Sequence, residues 1–362
     1  MMTSRERWLA ALRMQPVDRL PFWPKIDSAY MNAHCDIFPD KNTMSAFRWI
    51  GCDPHIGIGG PFKELNSTSR LEKNVNGGIA DFLYSTPLGN MTAKHTYDPG
   101  SASWHPVEFP IKSREDILRM TAYYDDMMIE KDDAGIENAR AQCEKLGGDA
   151  CTMQGIGESP LMEFVEWLAG VENAHLLLSD YTDDVERLFA AMHRVLLMKT
   201  ELSVNHSPAD TLYFIENTST TLISPAQYRE YCLPVLNEYT SMGHNAGRLM
   251  VLHMCGHLKA LLPDLATLQV AGFEAFTSPT LGNTTLLDGR SACPNTCLIG
   301  GTNAMMWAHH TADEIIKQIK NDLDSLPHHR GLVVTSAGVM PPLCAPDTIR
   351  KVCQWVQNYP ML

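Results

Sequence analysis

From about residue 145 to its end, the chain alternates between short runs of β-forming residues and longer stretches with helical spacing, a rhythm few folds accommodate. The β-like runs read "ACTMQGIG", "TLYFIEN", "RLMVLHMC", "FEAFTSP", "NTCLIGGTN" and "GLVVTSAG". Between and after them lie stretches such as "PLMEFVEWLAG", "DDVERLFAAMHRVLLMK", "TADEIIKQIKNDLDSL" and "PDTIRKVCQWVQ", with apolar residues three and four apart. Strand, turn and helix repeated in this order mean parallel strands joined by crossover helices. Two weaker runs near the N-terminus, "RLPFW" and "PHIGIG", bring the count to about eight, the number that closes a (β/α)8 barrel. The fold expected is therefore an α/β TIM barrel, one domain over residues 1–362. A stretch rich in Thr, Tyr and turn residues, about 71–110, interrupts the rhythm, and "PLGN" within it reads as a tight turn between antiparallel strands. A β-hairpin excursion from the barrel is expected there.

Charge narrows the partners. The formal net charge of −13 argues against nucleic acid, since phosphate binding needs clustered Lys and Arg. It argues equally against an anionic membrane surface. The opening "MMTSRERWLAALRMQ" alternates charged and apolar residues instead of carrying a continuous apolar core, and no segment has the roughly 18 apolar residues of a membrane span. A cytoplasmic protein is expected. Its ten cysteines are scattered along the chain and do not form the dense framework of a disulfide-stapled scaffold.

Barrel enzymes gather their reactive groups at the C-terminal ends of the strands. Polar residues stand at those ends here: Glu216 and Asn217 close "TLYFIEN", Ser278 follows "FEAF", and Asn303 follows "LIGG". The most distinctive end is "VLHMCGH". Residues i and i+2 of a strand share a face, so His253 and Cys255 look into one common space. Both are zinc ligands by chemistry, and both also occur as plain core residues. His257, opening the next helix after Gly256, is a candidate for contact with substrate, as are Asn217, Ser278 and Asn303.

The opening "TSRERWLAALRMQPVDRLPFW", then "PLGNMTAKH", "EFPIKSREDI", "ISPAQYREYCLPVLNEY", "HMCGH", "LIGGTN" and the closing "GVMPPLCAPDTIRKVCQWV", in that order, resemble the uroporphyrinogen decarboxylase superfamily over nearly the whole chain. That superfamily holds cofactor-free decarboxylases and zinc-dependent methyltransferases of the methylcobalamin:coenzyme M type. The decarboxylases carry an arginine pair after the first strand, where this chain has "FWPKIDSAYMNAH", with Lys25 and Asp27 and no arginine between Arg19 and Arg48. A polyanionic tetrapyrrole needs cations to offset its desolvated carboxylates. The resemblance therefore implies the methyltransferase branch: a methyl group passing between a corrinoid (cobalamin) carried on a small partner protein and a thiol, folate or methylated compound.

It also implies a zinc site built on His-x-Cys, matched by His253 and Cys255, with a cysteine far downstream as third ligand. Ser336, Ala337 and Gly338 occupy that downstream position here, so Cys344 in "PPLCAP" becomes the candidate third ligand and Glu216 the candidate fourth. His253, Cys255 and Glu216 are the expected catalytic residues. Two other readings are a decarboxylase acting on a different carboxylic acid and a catalytically silent relative that binds a corrinoid or tetrapyrrole. The chain is compatible with a homodimer.

Overall fold

The period-two pattern of "RLMVLH" sorts its side chains between two cores. Val251, with Leu249 packed beside it, belongs to a small cluster inside the barrel. Met250 and Leu252 belong to the large cluster between barrel and helices. The runs holding Tyr213, Ile299 and Val333 sort the same way, with those side chains inside, and all the runs become strands of one sheet. The structure, a computed structural model, describes all residues, 1–362. Its barrel strands are β1 (Phe22–Lys25), β2 (His55–Gly57), β3 (Cys151–Gly157), β4 (Thr211–Ile215), β5 (Leu249–His253), β6 (Gly272–Phe276), β7 (Cys297–Gly300) and β8 (Leu332–Val339). They run in parallel in the order β1-β8-β7-β6-β5-β4-β3-β2. This is the (β/α)8 barrel that the alternation predicts. No ladder joins β1 to β2; the Asp53 amide donates to the Phe22 carbonyl at 2.8 Å and links them instead.

The N-terminal helix, Ser4–Leu12, plugs the bottom of the barrel. A capping box between Thr3 and Glu6 starts it, satisfying amides that a helix end leaves unpaired. Trp8 and Leu12 enter the inner cluster beside Trp23, Tyr213 and Val333. No helix is long and apolar enough to cross a membrane.

The excursion is larger than the hairpin expected over about 71–110. A strand at Phe62–Asn66 pairs with Met127–Lys131. Between them lies a four-stranded antiparallel meander: Arg70–Asn76, Ile79–Thr86, Gly89–Asp98 and Ser103–Glu108. The "PLGN" turn is present, with Thr86 paired to Gly89 and Gly89 at φ 122°. That conformation costs glycine little and other residues much. The turns on either side, at Gly77-Gly78 and Pro99-Gly100, carry turn residues as strong, and reading them as well would have given all four strands of the meander.

One buried histidine makes stability depend on pH. His55, 3% exposed, stacks on Trp8 with ring centroids 4.5 Å apart. Its Nε2 meets Thr211 Oγ1 at 3.0 Å and its Nδ1 meets the Tyr213 hydroxyl at 3.2 Å. Burial pushes its pKa down to about 4 from 6.5. The unfolded chain thus takes up a proton on this residue below pH 6.5, whereas the folded chain does so only near 4. Its contribution is present above 6.5 and is lost as pH falls through that window, by about 3 kcal/mol in all. Urea unfolding of wild type and His55→Gln at pH 7 and pH 4.5 should show the gap between them narrowing by most of that amount. An unchanged gap would mean that His55 is not held neutral.

Candidate active site

The upper ends of β1, β5 and β6 bring three ionisable side chains together inside the barrel. His253 and Glu274 are register partners on adjacent strands, and His253 Nδ1 is hydrogen-bonded to Glu274 Oε2. The other carboxylate oxygen, Oε1, accepts from Lys25 Nζ at 2.9 Å. Glu274 is 1% exposed. Burial works against its charge, but Lys25 and His253 hold its pKa far below the ordinary carboxylate value. For His253, burial again opposes the charge. The Glu274 carboxylate, with hydrogen bonds to Cys255 and Glu274, raises the imidazole to about 9. At neutral pH the group is a carboxylate between two cations.

These residues line a cavity of about 430 Å³ at the barrel mouth, with Asp27 as its other charged group and Trp23, Phe47 and Tyr213 among its apolar walls. A cavity of this size takes a small molecule. It does not enclose a corrinoid, which would have to be presented from outside. The lining contains no arginine, in line with the missing arginine pair.

Cys255 follows the end of β5 and does not line the cavity that His253 lines. Its thiol donates to Asn217 Oδ1 at 3.3 Å, and Asn217 Nδ2 donates to Glu166 Oε2 at 2.9 Å. Asn217 sits at φ 43°, in the left-handed region that asparagine enters more readily than most residues. Glu166 lies in a π-helical turn, Phe164–Leu168, an irregularity often found at functional sites. Burial raises Glu166 to about 7 and Glu158 to about 10, the latter pushed further by the neighbouring carboxylates. The Oε1 of Glu166 and the Oε2 of Glu158 are buried without partners. Asn217 therefore links the Cys255 thiol to the Glu166 carboxyl group.

The remaining expected residues serve elsewhere. Glu216 is fully buried, and its carboxylate accepts from the Ser159 amide at 2.6 Å and hydroxyl at 2.7 Å. It ties the loop after β3 to the end of β4. Cys344 is 2% exposed; its thiol donates to the Ala345 carbonyl at 3.8 Å, and its own carbonyl accepts from Tyr30 at 2.8 Å. Burial drives that thiol up to about 12. Asn303 caps the helix Ala304–His309 and donates to Ser278 Oγ at 3.1 Å, so the two act on each other. The His257 amide donates to Ser219 Oγ at 3.1 Å, and its ring does not line the cavity.

The four-ligand zinc set of His253, Cys255, Cys344 and Glu216 is consequently not assembled, and no group of three or more His, Cys, Asp or Glu is arranged to hold a metal ion. A catalytic zinc site uses three protein ligands and an open position. His253 and Cys255 supply two donors, with Glu274 orienting the imidazole as a carboxylate behind a metal-bound histidine does. The residues present are one short of fitting the metal.

Sequence reasoning missed Glu274, Glu166 and the role of Lys25. Glu274 had a signal: a lone carboxylate inside the apolar run "GFEAF" must find a cation when the strand is buried.

The family model for uroporphyrinogen decarboxylase (URO-D) matches residues 97–359. No curated protein matches the chain in sequence. Among solved structures, a methyltransferase from Methanosarcina mazei superposes with a TM-score of 0.63 at 15% identity, covering 98% of each chain. A B12-independent methionine synthase from Shewanella sp. W3-18-1, in complex with selenomethionine, superposes with a TM-score of 0.50 at 9% identity, covering 93% of this chain and 96% of its own. At these identities the likeness is one of fold.

Proposed function

The chain belongs to the uroporphyrinogen decarboxylase family, and from that premise we propose that it is a methyltransferase that removes a methyl group from a small donor held at the barrel mouth. The acceptor is a corrinoid that a partner protein brings over the opening. The observation that carries this reading is His253, which lines the cavity with Nδ1 fixed on Glu274 and its charge retained to about pH 9. When a methyl group leaves oxygen, nitrogen or sulfur, the heteroatom keeps the bonding pair and needs a proton. A positioned imidazolium supplies it in the transition state, a contribution of roughly 10²–10⁴-fold in rate. Glu274 and Lys25 hold the ring in place, the apolar walls exclude water around the methyl group, and the Cys255 thiol lies beside the imidazole.

Decarboxylation of uroporphyrinogen is the poorer account of this cavity. Four acetate arms would meet Asp27 and Glu274, with Lys25 and His253 already committed to Glu274.

The test supplies cob(I)alamin and a panel of methylated thiols, amines and methoxylated aromatics, with and without added zinc. The absorption spectrum reports methylation. Conversion to methylcob(III)alamin is expected with one donor class, and His253→Ala should slow it by on the order of 100-fold or more. Decarboxylation of uroporphyrinogen without any spectral change across the panel would overturn the proposal.

A further inference from the structure

The antiparallel meander covers a second cavity, about 290 Å³, that shares no lining residue with the barrel mouth. The meander contributes Phe82, Tyr84 and His95 to its wall, and the helical side contributes Tyr123, Tyr124 and Trp167. The rings meet at steep angles: Tyr84 and Tyr123 at 81° with centroids 5.4 Å apart, and Tyr123 and Tyr124 at 87° and 5.8 Å. His95 and Phe82 lie 4.6 Å apart, and His95 and Trp167 6.1 Å. Rings set this way form the sides of a box.

The charges in that box are unbalanced. Lys199 Nζ is paired with Glu64 Oε1 at 2.6 Å. Glu163 also lines the cavity; its Oε1 accepts from the Tyr124 hydroxyl at 2.6 Å, and no cation lies within ion-pair distance of it. Burial and Lys73 keep His95 below its usual pKa, so it adds no balancing charge at neutral pH. Burial raises the Glu163 pKa, while the Tyr124 hydrogen bond and Lys199 lower it. A bound cation would therefore draw out a second carboxylate beside the Glu64–Lys199 pair, within a wall of six rings among aliphatic side chains. A buried carboxylate without a counter-ion is costly, and aromatic faces attract cations, most strongly when the cation sheds its water. An anion would meet Glu163, and a neutral guest would gain nothing from its ionisation.

We propose that this cavity binds a small organic cation of the methylated ammonium class, with its charge against Glu163 and its methyl groups against Tyr84, Tyr123 and Trp167. The proposal is independent of the reaction assigned to the mouth. Trp167 follows Glu166 in the same π-helical turn, so a guest here touches the turn that holds Asn217 beside Cys255.

The probe is choline, compared by titration calorimetry with its neutral isostere 3,3-dimethylbutan-1-ol on the full chain. Saturable binding of choline, at least tenfold tighter than the alcohol, is expected. Glu163→Gln keeps an acceptor for Tyr124 and should reduce the affinity about tenfold, as should Trp167→Leu. Thermal melts of both variants separate loss of binding from loss of fold. His253→Ala should leave choline binding unchanged. The proposal fails if choline does not saturate wild type, if the alcohol binds equally well, if folded Glu163→Gln binds as wild type does, or if His253→Ala abolishes binding.

Discussion

Replacing Glu274 by glutamine is expected to silence the barrel mouth and to destabilise the fold together. The carboxylate is the sole ion-pair partner of both Lys25 and His253, and its removal leaves the Lys25 ammonium without a counter-charge in a mostly buried site. Breaking a buried pair from one side costs about 3–5 kcal/mol; Lys25 retains 17% side-chain exposure, which places the expected loss near the lower end. His253 is charged at neutral pH chiefly because Glu274 offsets its burial. Without that carboxylate, burial alone should take the imidazole below 6.5, leaving it neutral at pH 7. Methyl transfer should then fall by on the order of 100-fold or more.

The pH dependence carries a sign. In wild type the raised histidine pKa stabilises the fold fully below 6.5, and this contribution is lost as pH rises through about 9. Glu274→Gln should remove that alkaline loss. Histidine NMR titration and urea unfolding from pH 6 to 10 measure both effects. An imidazole that still titrates near 9 in the variant, with activity retained, would sink this account of the site.

Asp53→Asn should be the most destabilising conservative change at the other end of the barrel, with the mouth left intact. Asp53 is fully buried and joins Arg7 at 2.5 Å and Arg19 at 2.7 Å. Its Oδ2 also accepts from the Phe22 amide at 3.2 Å, and its carbonyl accepts from Trp8 Nε1 at 2.8 Å. These bonds fasten the N-terminal helix, β1 and the entry to β2 where no ladder closes the sheet. An amide can replace one acceptor but supplies no charge, and Arg7, 2% exposed, cannot reach water. Arg7 keeps Asp18 at 2.7 Å, which limits the cost to about 3 kcal/mol. A lowered urea midpoint with unchanged steady-state activity at low temperature is expected. An unchanged midpoint would mean that the cluster contributes nothing net.

Much of the architecture could be read from residues near one another in the chain. A barrel strand needs only a short apolar run with turn residues behind it. Every run from "ACTMQGIG" to "GLVVTSAG" forms one, and even the weak "RLPFW" and "PHIGIG" contribute β1 and β2. The place of His253 at the mouth follows from the polarity of a parallel barrel. Cys255 instead lies past the end of β5, where the strand period no longer applies, and its thiol turns to Asn217. The excursion was half legible, because "PLGN" has a turn's chemistry whereas the pairing of Phe62–Asn66 with Met127–Lys131 spans a distance that no local signal encodes.

Tertiary structure decided which side chains meet. Lys25, His253 and Glu274 come from β1, β5 and β6, and only closure of the sheet places the ammonium 2.9 Å from the carboxylate. Closure equally keeps Cys344 on its own loop with Ala345 and turns Glu216 to Ser159, although both had the chemistry of a ligand. Spacing along a strand fixes a side chain's face through the backbone period. Its partners across the barrel depend on the register and tilt of the whole sheet, which no single segment carries.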